Sequence, residues 1–157
     1  MTMARRSAGI LLYRRRGGAV ELLLVHPGGP LWARRDAGAW SIPKGEYGEG
    51  EDPLAVALRE FEEETGQRPP ADGLVALGEV RQRGGKVVSA WAARGDLDPE
   101  AITSNTFILE WPPRSGVRRE FPEVDRAGWF DPPTARVKLL AAQAELVDRL
   151  LAALDGG

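Results

Sequence analysis

The stretch "LREFEEETG", Leu58 to Gly66, sets four glutamates within five positions. It reads as the end of a helix. Asp52 suits an N-cap and Pro53 the first helical position, while Gly66 is a natural stop and Pro69-Pro70 bar continuation. Like charges one turn apart cost a helix roughly 0.2–0.5 kcal/mol per pair. Either the run is a solvated face that tolerates the cost, or something cationic sits against it. On a wheel of roughly 100° per residue, Leu54, Ala57, Leu58, Phe61 and Thr65 share one arc, which is expected to face a core. Glu60, Glu63 and Glu64 occupy the neighbouring arc, and Arg59 and Glu62 lie elsewhere. Three carboxylates therefore share one flank beside the buried stripe. Hard divalent cations such as Mg2+ and Mn2+ take clustered oxygen ligands. The competing reading is a solvated face in which Arg59 pairs with Glu62 or Glu63.

Upstream, "AWSIPKGEYGEGEDP", Ala39 to Pro53, leads into the helix. Gly45, Gly48 and Gly50 leave bare backbone that can approach a metal or a phosphate. Their spacing is not a dinucleotide fingerprint, and no long parallel strand precedes them. Further out, Ser7–Tyr13 and Ala19–Pro27 read as a strand hairpin turning at Gly17-Gly18, with a short strand candidate at Trp40–Ile42. Leu74–Gln82 and Lys86–Ala93 read as a second hairpin around Gly84-Gly85. Thr106–Trp111 and Ala127–Phe130 are short strands flanking a polar loop, "PPRSGVRREFPEVD". A helical region opens at Pro132-Pro133, where Leu139, Gln143, Leu146, Val147, Leu150 and Leu154 form a stripe read as core packing. The expectation is an α/β fold with a mixed sheet between helices, as one domain over residues 1–157.

Composition narrows the chemistry. The 157 residues carry 21 basic and 23 acidic side chains, a net charge of −2, which argues against gripping nucleic acid through a broad basic surface. With no cysteine, disulfides and thiolate metal sites are excluded. The one histidine, His26, leaves no multi-histidine zinc site and reads as a strand-end residue with no role. The start, "MTMARRSAGILLYRRR", has too short an apolar run for a signal segment, and no run approaches a membrane span of roughly 18 residues. A cytoplasmic protein without membrane contact is expected.

Taken together, Gly45 to Gly66 resembles the box of the Nudix family. Gly45, Glu51, Arg59, Glu60, Glu63, Glu64 and Gly66 all fall in register with the family pattern. Phe61 and Gln67 stand where aliphatic residues are usual, which touches packing and not ligands. The box covers about a seventh of the chain, and the flanking strand pair and terminal helix also fit the layout. The resemblance implies an α/β/α sandwich and hydrolysis of a nucleoside diphosphate linked to another group. It implies Mg2+ or Mn2+ held by Glu60, Glu63 and Glu64, with a backbone carbonyl of Lys44 or Gly45, while Glu51, Arg59 and Gly66 orient the others. Catalytic roles fall to Glu60, Glu63 and a carboxylate from outside the box. Glu110, Glu120 and Glu123 are candidates for that carboxylate. Glu123, six residues before Trp129, is chosen because a similar Glu-to-Trp-Phe arrangement recurs in the family.

The lead-in Trp40-Ser41-Ile42-Pro43-Lys44-Gly45 resembles that of dinucleoside polyphosphate hydrolases and RNA pyrophosphohydrolases. This makes Lys44 a phosphate contact. Lys86, in a hairpin similar to one of asymmetric diadenosine tetraphosphate hydrolases, would be a second at a different place along the phosphate chain. Trp32, Trp40, Tyr47 and Trp111 are candidates to stack on bases, with Tyr47 taken as substrate-binding and Trp32 and Trp40 lining a groove near Gly28-Gly29. The expected substrate is a dinucleoside polyphosphate. The alternatives are an oxidised or other nucleoside triphosphate, ADP-ribose, an RNA 5′ end, or a non-catalytic module, which should have lost box carboxylates. The sequence leaves the oligomeric state open.

Overall fold

The computed structural model describes residues 5–155. A six-stranded mixed sheet is built on β1 (Arg6–Arg16), whose interior is almost wholly apolar. β1 pairs in parallel with β5 (Val87–Arg94), which pairs with β4 (Val75–Arg81) at the edge. On its other side β1 changes partner along its length. Ser7–Gly9 face the three-residue β3 (Lys44–Glu46), and Tyr13–Arg16 face β2 (Ala19–Pro27). β2 continues the sheet to β8 (Val124–Phe130). β6 (Thr106–Glu110) and β7 (Arg118–Pro122) form a separate antiparallel pair.

Alternation along β1 and β2 sends side chains to two cores. Ala8, Ile10, Leu12 and Leu23 pack under α1 (Pro53–Thr65) with Ala57 and Phe61. Leu11, Tyr13, Leu22 and Leu24 pack on the opposite face with Leu146, Val147 and Leu150 of α3 (Ala144–Asp155) and Ala135 of α2 (Pro132–Lys138). The result is the expected three-layer α/β/α arrangement. Phe61 is fully buried in the α1-side core, where it takes the place of an aliphatic residue. Burial of such a side chain stabilises by about 1.5–3 kcal/mol.

The helix forms for the local reasons its sequence gives. The Asp52 carboxylate accepts from the Ala55 amide at 3.2 Å, and Gly66 closes the helix at φ 76° with its amide on the Glu62 carbonyl. A side chain on Gly66 would also lie 2.1 Å from the Thr103 hydroxyl oxygen. The buried stripe differs in detail from the wheel: Val56 is buried, while Leu54 and Leu58 are only half-buried.

Four other expectations need correction. β3 arises in a segment read as too irregular for an element, because β1 supplies its hydrogen bonds. Trp40 and Ser41 make only isolated bridges, to Leu139 and Val25. β7 lies inside the stretch read as a polar loop. The C-terminal stripe spans two helices, because after α2 the Leu140 amide turns to the Trp40 carbonyl and a short turn at Ala141–Gln143 precedes α3.

Candidate active site and metal centre

The change of partner along β1 opens the sheet between β3 and β2, and the box residues gather at that opening. Glu51 closes the glycine loop by accepting from the Gly48 amide at 2.9 Å. Arg59 lies 3.7 Å from Glu51, 3.8 Å from Glu60 and 3.8 Å from Glu63, so one guanidinium spans loop and helix. Gly45 has a steric reason to be glycine. A Cβ there would stand 2.1 Å from Cδ and 2.4 Å from Oε2 of Glu60. The Glu60 carboxylate therefore rests directly on the bare β3 backbone.

Glu64 reaches the same strand from the next turn, accepting from the Lys44 amide at 3.3 Å. Burial raises its carboxyl to about 8, against the pull of Lys44, and the charges of Glu123 and Glu60 push the same way. Burial lowers the Lys44 ammonium, and the neighbouring Lys86 ammonium lowers it further. The Glu60 carboxyl is raised by burial and by Glu63, and that of Glu123 by burial and by Glu63. Glu123 thus comes to the glutamate flank from the loop before β8. Its amide donates to the Asn105 carbonyl and its carbonyl accepts from the Gly28 amide, each at 2.9 Å. Glu120 is turned away, hydrogen-bonded to the Thr106 hydroxyl on the β6–β7 pair. Glu110 sits opposite Arg118 at the other end of that pair.

The donor set is all oxygen, mutually repelling and cradled by a bare glycine, which suits a hard divalent cation. Among the described residues no three acidic side chains are already closed to metal-ligand spacing.

Two cavities meet at Glu123. One of about 220 Å³ is lined by Lys44, Glu64, Ser41 and Trp32. The other, of about 290 Å³, is mainly apolar and is lined by Gly28, Gly29, Leu31, Trp32, Phe107 and Leu109. Pro27, Trp32 and Glu123 belong to both, so an acidic and basic floor passes into an aromatic mouth. Gly28 and Gly29 let the β6–β7 pair close over this mouth. A Cβ on Gly28 would meet the Pro122 carbonyl oxygen at 2.0 Å, and one on Gly29 would meet Phe107 at 2.9 Å.

Several site expectations change here. Trp40 is buried between His26 and Phe130, with its indole N–H on Asp36, and lines neither cavity. Tyr47 packs against the α1-side core instead of standing in the groove. Lys86 and Lys44 are neighbours and do not serve two places along a chain of phosphates. Trp111 is half-buried and also lies outside both cavities. Phe107 was not anticipated. The only signal for it was the Phe107/Leu109 alternation within a short strand. His26 is fully buried with both ring nitrogens bonded, so it has a structural part where none was expected.

The NUDIX domain model matches residues 3–151. An octanoyltransferase of Myxococcus xanthus is 35% identical over 136 residues, covering 85% of this chain and 33% of that protein. An RNA pyrophosphohydrolase of Roseobacter denitrificans is 43% identical over 61 residues, covering 36% of this chain and 38% of that protein. The matches span a little over a third of these relatives at most. Among solved structures, a C. elegans Ap4A hydrolase binary complex superposes with a TM-score of 0.67 at 23% identity, covering 98% of this chain and 100% of that one. The NUDIX domain of Shewanella oneidensis NrtR, complexed with ADP ribose, gives 0.66 at 17% identity, covering 98% and 90%. These structures share the fold. With the family model running nearly end to end and the box glutamates gathered at the split in the sheet, the chain belongs to the NUDIX domain family.

Proposed function

We propose that this chain is a divalent-metal-dependent pyrophosphohydrolase that cleaves a nucleoside diphosphate linked to another group, with a dinucleoside polyphosphate such as diadenosine tetraphosphate as substrate. One observation carries the reading: a carboxylate and lysine floor opens into an aromatic-mouthed cavity through the shared residues Trp32 and Glu123. Phosphates suit the floor and a planar base suits the mouth. Similarity in fold to an Ap4A hydrolase and in sequence to an RNA pyrophosphohydrolase supports the reaction class.

Glu60, Glu63 and Glu64, with the Gly45 carbonyl, are the proposed metal ligands. When bound, Mg2+ or Mn2+ neutralises charge on non-bridging phosphate oxygens and makes a bound water more acidic. The chain's own residues do the rest. Lys44 and Lys86, side by side, concentrate positive charge on one phosphate, where the departing oxygen gains charge as the P–O–P bridge breaks. Attacking water forms the new P–O bond and loses its proton to a carboxylate. Glu123, which stands outside the proposed ligand set and whose affinity for protons is raised by burial, suits that acceptance. Glu51 and Arg59 hold the loop and helix in register.

The test is a screen with Mg2+ and Mn2+ over dinucleoside polyphosphates, nucleoside triphosphates, ADP-ribose and 5′-triphosphorylated RNA, with products resolved after reaction in 18O-water. Diadenosine tetraphosphate should yield ATP and AMP, with label on the phosphorus attacked. Failure to cleave it, with good turnover of another member of the set, would overturn the substrate. An RNA 5′ end is the second reading, favoured by the 43% identity to the RNA pyrophosphohydrolase.

A further inference from the structure

His26 lies at the end of β2 and is entirely shielded from solvent. Its Nδ1 stands 2.8 Å from the Asp125 carboxylate and its Nε2 2.6 Å from the Arg35 carbonyl oxygen. The ring therefore ties a side chain of β8 to a backbone carbonyl of the loop. Charged groups surround it. From β8 come Asp125 and Arg126, the latter 4.0 Å from Asp125 and 5.3 Å above the Trp40 ring. From the loop come Arg35 and Asp36, and Asp36 is paired with Lys138 of α2. The Trp40 edge closes the remaining side at 5.2 Å.

The second bond reaches into the loop that shapes the groove. The Arg35 carbonyl accepts from His26, while the Arg35 amide donates to the Trp32 carbonyl at 3.0 Å. The Arg35 guanidinium lies 5.5 Å from the Trp32 ring. One residue therefore passes the position of the His26 ring to the indole that lines both cavities.

We propose that His26 is a positioning residue, a strut between β8 and the 28–38 loop that sets Trp32 for the substrate base. This rests on the reading that Trp32 meets a base. Amide exchange and steady-state kinetics on the full chain test the strut. His26→Gln should speed amide exchange across Trp32–Gly38. It should also raise KM for diadenosine tetraphosphate by about tenfold, with kcat within about twofold of wild type. Asp125→Asn should keep the loop protected, because its side-chain amide can still bond the Nδ1 position. If His26→Gln does not fold, Asp125→Ala, at a partly exposed side chain, replaces it with the same expected loosening. Unchanged exchange and KM in the folded variant overturn the positioning role. If wild type leaves diadenosine tetraphosphate uncleaved, the substrate reading fails, while loop exchange still decides the strut.

Discussion

Replacing Gly45 by alanine tests how closely the chemistry depends on contact between the Glu60 carboxylate and bare backbone. The new Cβ would sit 2.1 Å from Cδ of Glu60, and ordinary contact begins at 3.4 Å. Glu60 must retreat by about 1.3 Å, or β3 must move, and a misplacement of about 1 Å in a catalytic group costs on the order of 10²-fold. That corresponds to about 2.7 kcal/mol of lost transition-state stabilisation. The fold loses less. Gly45 does not take a positive φ, so alanine meets no backbone strain. Overpacking at such a site costs about 1–3 kcal/mol. Initial rates against Mg2+ concentration, with urea unfolding of the same samples, separate the two effects. Gly45→Ala should stay folded, lose about 10²-fold in kcat/KM and need more metal for half-activation. Adding Glu60→Asp, which draws the carboxylate back by one methylene, should recover part of the loss. Wild-type rates and metal response in the single variant would refute the contact as the reason for glycine.

Three further outcomes follow from the same geometry. Because burial raises Glu64 to about 8, its protonated form is favoured by folding, so metal-free stability should fall as pH rises from about 4.5 to 8; saturating Mg2+ or Glu64→Gln should flatten that slope in thermal melts, and Glu64→Gln should also lower turnover by about 10²-fold or more. Glu123→Gln should lower kcat more than Glu120→Gln, since Glu120 is engaged by Thr106 and away from the floor; equal losses would remove Glu123 from the reaction. Phe107→Ala and Trp32→Ala should each raise KM by about tenfold for a base-bearing substrate, and in calorimetry should not weaken Mn2+ binding.

The glutamate-bearing helix α1 was legible because its signals are local. Asp52, Pro53 and Gly66 fix its ends, and the phase of Phe61 against Glu60 and Glu64 fixes its faces. What escaped the sequence depends on partners far along the chain. β3 is a strand only because Ser7–Gly9 pair with it. β7 reads as loop because Arg118, Arg119 and Glu120 face solvent, and its ladder is supplied by β6. Lys44 and Lys86 meet because β1 carries β3 on one side and β5 on the other. Trp32 and Trp40 look alike in sequence, yet one lines the groove and the other is sealed by His26 and Phe130. Position along the chain carries no sign of that difference, which is set by the loop's return past β8.

The exchange of partners along β1 has a consequence for how such a protein can change. The half that carries the glutamate flank, β3 with α1, hangs on Ser7–Gly9, and the groove-lining half, β2 with β8, hangs on Tyr13–Arg16. The 28–38 loop and the β6–β7 pair sit outside the main sheet on the second half. Replacing the outer parts of these two segments, with Gly28 and Asn105 kept to anchor Glu123, would redraw what the groove admits while Glu60 and Glu64 keep their footing beside β3. One strand with two allegiances thus works as a junction, on which new substrates can be tried by exchanging trim while the working machinery stays in place.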